Sequence, residues 1–133
     1  MRWGTMIPFL LAAALAPAPT TIAAMRWERR VLLLAAARDD DPGLAAQRKA
    51  LAGWDKSARE RDLAVVTVVG DQVSGADDTA AALRKRYRLP AGRFVAILIG
   101  KDGGEKLRSA KPIAPGVLAE TIDAMPMRRA GGR

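Results

Sequence analysis

The chain contains no cysteine and no histidine. The first absence removes disulfides, thiolate metal sites, thiol nucleophiles and lipid attachment through cysteine. The second removes Ser-His-Asp catalysis and any imidazole that would move protons near neutral pH. Aromatic residues are scarce, at 5% of 133 residues, while half of the chain is apolar. A core for one domain can therefore be built, but mainly from Val, Leu, Ile and Ala. Acidic residues are outnumbered, 14 against 22 Lys and Arg, for a formal net charge of +8. Such a balance can serve nucleic acid, a membrane surface or an acidic polymer. Here the basic residues are scattered, which is the pattern of a solvated surface.

Residues 1–24 read as an export signal. Arg2 supplies a positive start, and the apolar run Met6 to Ala16 is too short to span a bilayer as a helix. Small residues follow, and cleavage is expected near Ala23 or Ala24; Ala16 and Ala18 are poorer sites because each precedes a proline. The alternative is a retained N-terminal anchor. On the first reading, residues 25–133 form one exported domain with a core over about 27–127, periplasmic or secreted, with no transmembrane span in the mature chain.

Val31 to Ala36 is a continuous apolar run, the composition of a strand buried on both faces. Asp41 is a good helix cap and Pro42 suits the first helical position, so a helix is expected from Pro42 to Arg59. Leu44, Leu51, Trp54 and Ala58 would share its inner face, with Gln47, Arg48 and Lys49 mostly on the rest; Gly53 lies inside it. Leu63 to Val69 reads as a second strand, Gln72 to Gly75 as a loop, and Asp77-Asp78 as the start of a second helix whose inner face holds Ala76, Ala80, Leu83 and Tyr87. Phe94 to Ile99, an Asp102-Gly103 turn and Glu105 to Arg108 make a hairpin. A last helix begins near Pro115, with Leu118, Ile122 and Met125 on one face, and Pro126 ends it.

The order β-α-β-α-β-β-α implies an α/β fold: a four-stranded mixed sheet with helices on both faces, its first crossover right-handed. That order resembles the thioredoxin-like core. Several segments also resemble a bacterial exported family of unknown function, itself similar to domains in animal extracellular proteins of the sushi-repeat group. The matching residues are Arg30 to Leu34, Gln47, Arg61-Asp62-Leu63, Leu98 to Gly103 with Lys106-Leu107-Arg108, and Ile122-Asp123 with Met125-Pro126-Met127-Arg128. The resemblance spans about residues 27–129 and implies a fold and an exported location, but no reaction.

In thioredoxin-like enzymes the redox cysteines lie after the first strand, where the following helix N-terminus stabilises a thiolate. Here that place reads Arg38-Asp39-Asp40-Asp41-Pro42-Gly43, which can do no thiol chemistry. Arg38, Asp39, Asp40 and Asp41 are the candidates for any carboxylate-based acid–base chemistry. The same aspartates lack the ligand ladder of a calcium loop, and no metal or cofactor is expected. Arg93, Lys101, Lys106 and Arg108 are a candidate anion-binding patch, because Lys106 and Arg108, two apart, should point to one side of a strand. The competing explanation is protection of a sheet edge by charge. The aromatic among Arg84, Lys85, Arg86 and Arg88 is Tyr87, whose spacing makes it a core residue rather than a stacking platform, so no nucleic-acid partner is expected. Gly100 to Gly104 is a turn, since no helix follows it as a phosphate loop requires. Trp54 reads as core, and Trp27 as packing over one end of the sheet.

These readings favour a non-catalytic exported module that binds an envelope protein or an anionic envelope component. The alternatives are an enzyme using carboxylate and basic residues on the same scaffold, and a binder of anionic envelope polymer.

Overall fold

In the computed structural model, residues 20–129 are described. A five-stranded sheet has the order β3-β2-β1-β4-β5, formed by β1 (Arg30–Ala36), β2 (Leu63–Val69), β3 (Gln72–Ser74), β4 (Val95–Ile99) and β5 (Glu105–Ser109). The helices are α1 (Pro42–Leu51), α2 (Asp55–Glu60), α3 (Ala80–Tyr87), α4 (Pro115–Asp123) and α5 (Pro126–Arg129). β1 pairs parallel with β2 and antiparallel with β4. Every residue of β1 is buried, as its unbroken apolar run requires of a central strand covered on both faces. Leu32, Leu34 and Ala36 meet Leu44 of α1 and Leu118 and Ile122 of α4. Val31, Leu33 and Ala35 face the other way, toward Ala80, Leu83 and Tyr87 of α3.

Three local features correct the sequence reading. The expected Pro42-to-Arg59 helix is two: Gly53 turns at φ +81°, and α2 restarts after Trp54. The break follows from glycine's freedom in the left-handed region. The expected loop at Gln72 to Gly75 contains β3, joined to β2 through Gly70, also at positive φ, with Val69 opposite Gln72. The sheet therefore has a fifth strand. α3 starts at Ala80 rather than at Asp77-Asp78, because the Thr79 hydroxyl accepts the Ala82 N–H and caps it.

Asp78 is used differently: its carboxylate accepts the Ile22 N–H at 2.9 Å. The Thr20 carbonyl accepts from Asp77 N–H at 2.8 Å, and Ile22 and Met25 are buried against the α3 side of the sheet. Residues 20–25 are thus part of the packed domain, and cleavage after Ala23 or Ala24 would remove the buried Ile22.

Tyr87 packs in the same layer, and its hydroxyl has no hydrogen-bond partner among the described residues. Burial also pushes its phenol above the ordinary value, partly opposed by Arg86. Tyr87→Phe is expected to leave stability unchanged or raise it by about 1 kcal/mol, since a buried unpaired hydroxyl gains nothing from folding. Urea unfolding at constant slope measures this; a loss of stability would mean that the hydroxyl is bonded.

Candidate functional site

Two ends of the sheet carry polar side chains, and they are built differently. At the C-terminal end of β1 the chain enters α1 through Arg38 to Asp41. One Asp41 oxygen accepts from Gly43 N–H at 2.8 Å and Leu44 N–H at 3.1 Å. That satisfies N–H groups that a helix start leaves open, a contribution of about 1 kcal/mol. Asp40 pairs with Arg38 at 2.8 Å, and Asp39 with Arg48 of α1 at 3.0 Å. Both pairs are exposed, with side-chain exposures of 48–79%. The three carboxylates thus go to a helix cap and to separate cations, and Asp40 and Asp41 line a shallow depression with Arg38 and Gly92. Among the described residues, no group of three or more His, Cys, Asp or Glu side chains is arranged to hold a metal ion.

The other end lies below the N-terminus of β1, where β4 leaves the sheet and α4 ends. A cavity of about 550 Å³ opens there, with Trp27, Arg30, Lys101, Lys106, Met125 and Pro126 in its walls. Arg30 follows the inward register of Leu32 and Leu34, so its side chain runs under the C-terminal end of α4 and is only 1% exposed. Its Nη1 donates to the Arg61 carbonyl at 2.7 Å and its Nε to the Met125 Sδ at 3.3 Å. Burial pulls this guanidinium below its ordinary value, opposed first by the charge of Asp62. Lys101, also buried, pairs with Asp62 at 3.0 Å.

The Lys101 carbonyl accepts from Trp27 N–H at 2.6 Å and so holds Trp27, three residues ahead of β1, in a left-handed backbone, φ 73°. A bulky residue there is an outlier of the kind concentrated at binding sites. The Trp27 ring does not pack over the sheet, as the sequence suggested: it is 56% exposed, with the Arg26 guanidinium 5.0 Å from its centroid. Trp54 is half-buried against the α1 and α4 side, with Arg61 over its ring.

The expected anion patch is divided. β5 pairs Leu107 with Leu98 but Glu105 with Ile99, a bulge at Lys106 that advances the strand by one residue. Lys106 and Arg108 therefore fall on opposite faces. Lys106 reaches the cavity and pairs with Asp102 at 2.9 Å, while Arg108 turns toward α3, donating to the Tyr87 carbonyl and pairing with Glu105. Arg93 sits before β4 and Lys101 after it, at opposite ends of that strand. The structure thus joins Lys101 and Lys106 with Arg30 and separates them from Arg93 and Arg108. The sequence reading missed Arg30 as a site residue and gave Trp27 only a packing role; the signal that could have marked Arg30 is a charged residue two and four positions from the buried Leu32 and Leu34.

This architecture is that of a thioredoxin-like domain. The chain is similar to a crystal structure of reduced 2-Cys peroxiredoxin from Plasmodium vivax, with a TM-score of 0.60 and 14% identity over 82% of this chain and 84% of that one. At that identity the likeness concerns the fold alone. Residues 21–131 match a family described as a domain of unknown function, DUF4174, and the chain belongs to that family.

Proposed function

We propose that the chain is an exported, non-catalytic binding module on a thioredoxin-like scaffold, periplasmic or secreted, from a bacterium. Its partner is an envelope protein or an anionic envelope component. The observation that carries this reading is the β1–α1 junction. Where thioredoxin-like enzymes keep their reactive groups, this chain has no thiol, and Asp39, Asp40 and Asp41 are each committed to a local ion pair or cap. Export is supported by the basic and apolar opening of the sequence. Among the described residues, no helix is long and apolar enough to cross a membrane. The burial of Ile22 and Met25 in the core supports a processing site ahead of Thr20 rather than near Ala23 or Ala24.

The test is expression of the full chain with a C-terminal tag in a bacterial host, followed by fractionation, N-terminal sequencing and capture from envelope extract at low and high salt. The expected result is a shortened chain outside the cytoplasm, beginning before Ile22, that retains an envelope component at high salt. Unprocessed protein confined to the cytoplasm would overturn export. Binding lost at high salt would favour an anionic polymer. Turnover abolished by joint Asn substitution of Asp39, Asp40 and Asp41 would overturn the non-catalytic reading.

A further inference from the structure

We propose that the cavity below β1 binds a small organic carboxylate with a flat apolar body, the carboxylate pairing with Arg30 in place of the Met125 thioether and the body lying against Trp27. This deepens the binding-module reading and rests on it.

The argument begins with Arg30. A guanidinium carries five N–H donors in a planar fork, and arginine is seldom fully buried without an anionic partner. Here its side-chain hydrogen bonds among the described residues run to a carbonyl and a thioether, and the latter is a weak acceptor. A carboxylate is the acceptor that matches this fork, through two parallel charge-assisted bonds. Met125 is half-buried and follows the end of α4. Its unbranched side chain can swing aside at low cost.

The walls support the same ligand. Arg30, Lys101 and Lys106 meet a single lining carboxylate, Asp102, whose charge is already matched by Lys106 and by the Gly104 N–H at 2.9 Å. These contacts hold the Asp102 carboxyl below the ordinary carboxylate range, so it stays ionised and keeps Lys106 at the rim. Each ammonium carries three donors, leaving capacity beyond one ion pair. Trp27, Pro126 and Ala124 line the same cavity and supply its apolar wall. An exposed indole held in a strained backbone gains nothing for the core, yet it offers a flat face for stacking. The volume of about 550 Å³ falls among small-molecule sites.

The test is an NMR titration of protein purified from expression of the full chain, following the Trp27 indole N–H and the Met125 methyl. The probe is 2-naphthoate, with 2-naphthamide as its uncharged counterpart. Saturable shifts at both groups are expected, with the amide weaker by about tenfold or more. Trp27→Ala should weaken naphthoate by a similar factor while leaving the unfolding midpoint in place, because the ring is outside the core. Arg30→Lys, which keeps the charge but loses the fork, should also weaken it. Equal affinity for acid and amide, shifts confined to other residues, indifference to Trp27→Ala, or no saturable shift would each overturn the proposal. A flat titration would leave envelope capture untouched, whereas turnover by the Asp39 to Asp41 loop would overturn the module reading and leave the titration standing.

Discussion

Gln47→Leu is expected to unfold the domain at a much lower urea concentration, with a loss of about 2–6 kcal/mol. Gln47 lies in α1 and is fully buried. Its Nε2 donates to the Ile113 carbonyl at 2.9 Å, and its Oε1 accepts from the Ile113 N–H at 2.7 Å. The side-chain amide therefore completes both backbone groups of a residue between β5 and α4, as a strand partner would. Leucine nearly matches the volume but supplies neither group, so a buried N–H and a buried C=O are left without partners, each costing about 1–3 kcal/mol. Ile113 itself sits in the apolar layer with Leu44 and Leu118, so water can reach those groups only by opening the layer. Hydrogen exchange at the Ile113 amide gives an independent reading: it should speed up more than exchange in α3, on the far side of the sheet. Retained stability with a protected Ile113 amide would mean that the loop is held by packing alone.

The same residue marks the limit of the sequence reading. Its polarity places Gln47 on the outer face of α1. Its spacing from Leu44 and Leu51, three and four positions, put it on the apolar stripe. Periodicity was right and residue type misleading, because a polar group can be buried when both of its hydrogen-bonding atoms are met. The hydrophobic runs that became β1, β2 and β4 were fully legible, as were the Asp41 cap and the Asp102-Gly103 turn. β3 was not. It is three residues long, and Gln72 and Ser74 are exposed, so only Val73 gives it an inward side chain. The Gly70-Asp71 pair between Val69 and Gln72 was its one local sign. The cavity below β1 was the least legible feature. Arg30, Lys101 and Met125 are far apart in sequence, and a bulge that no composition rule predicts decides that Lys106 joins them while Arg108 does not.

Backbone approach is equally silent in composition, and Gly75→Ala is expected to expose it. Gly75 follows β3 at φ +89°, where an L side chain costs about 1–2 kcal/mol. A Cβ at this position would also stand 2.4 Å from the Val65 carbonyl oxygen. That oxygen belongs to β2, whose register with β1 runs unbroken from Leu63 to Val69, so it cannot retreat without disturbing the parallel ladder. Relief by shifting backbone adds about 1–3 kcal/mol, for a total of about 2–5 kcal/mol. Gly53→Ala separates the two causes. Gly53 has a similar φ, +81°, but nothing lies within 4 Å of the position its Cβ would take. Its alanine variant should lose only about 1–2 kcal/mol, the conformational part. Urea unfolding of both variants therefore measures the close approach as a difference between them, and the Val66 and Thr67 amides, next along β2, should lose exchange protection only in the Gly75 variant. Equal losses at the two positions would assign the whole effect to backbone conformation and free β3 to move away from β2.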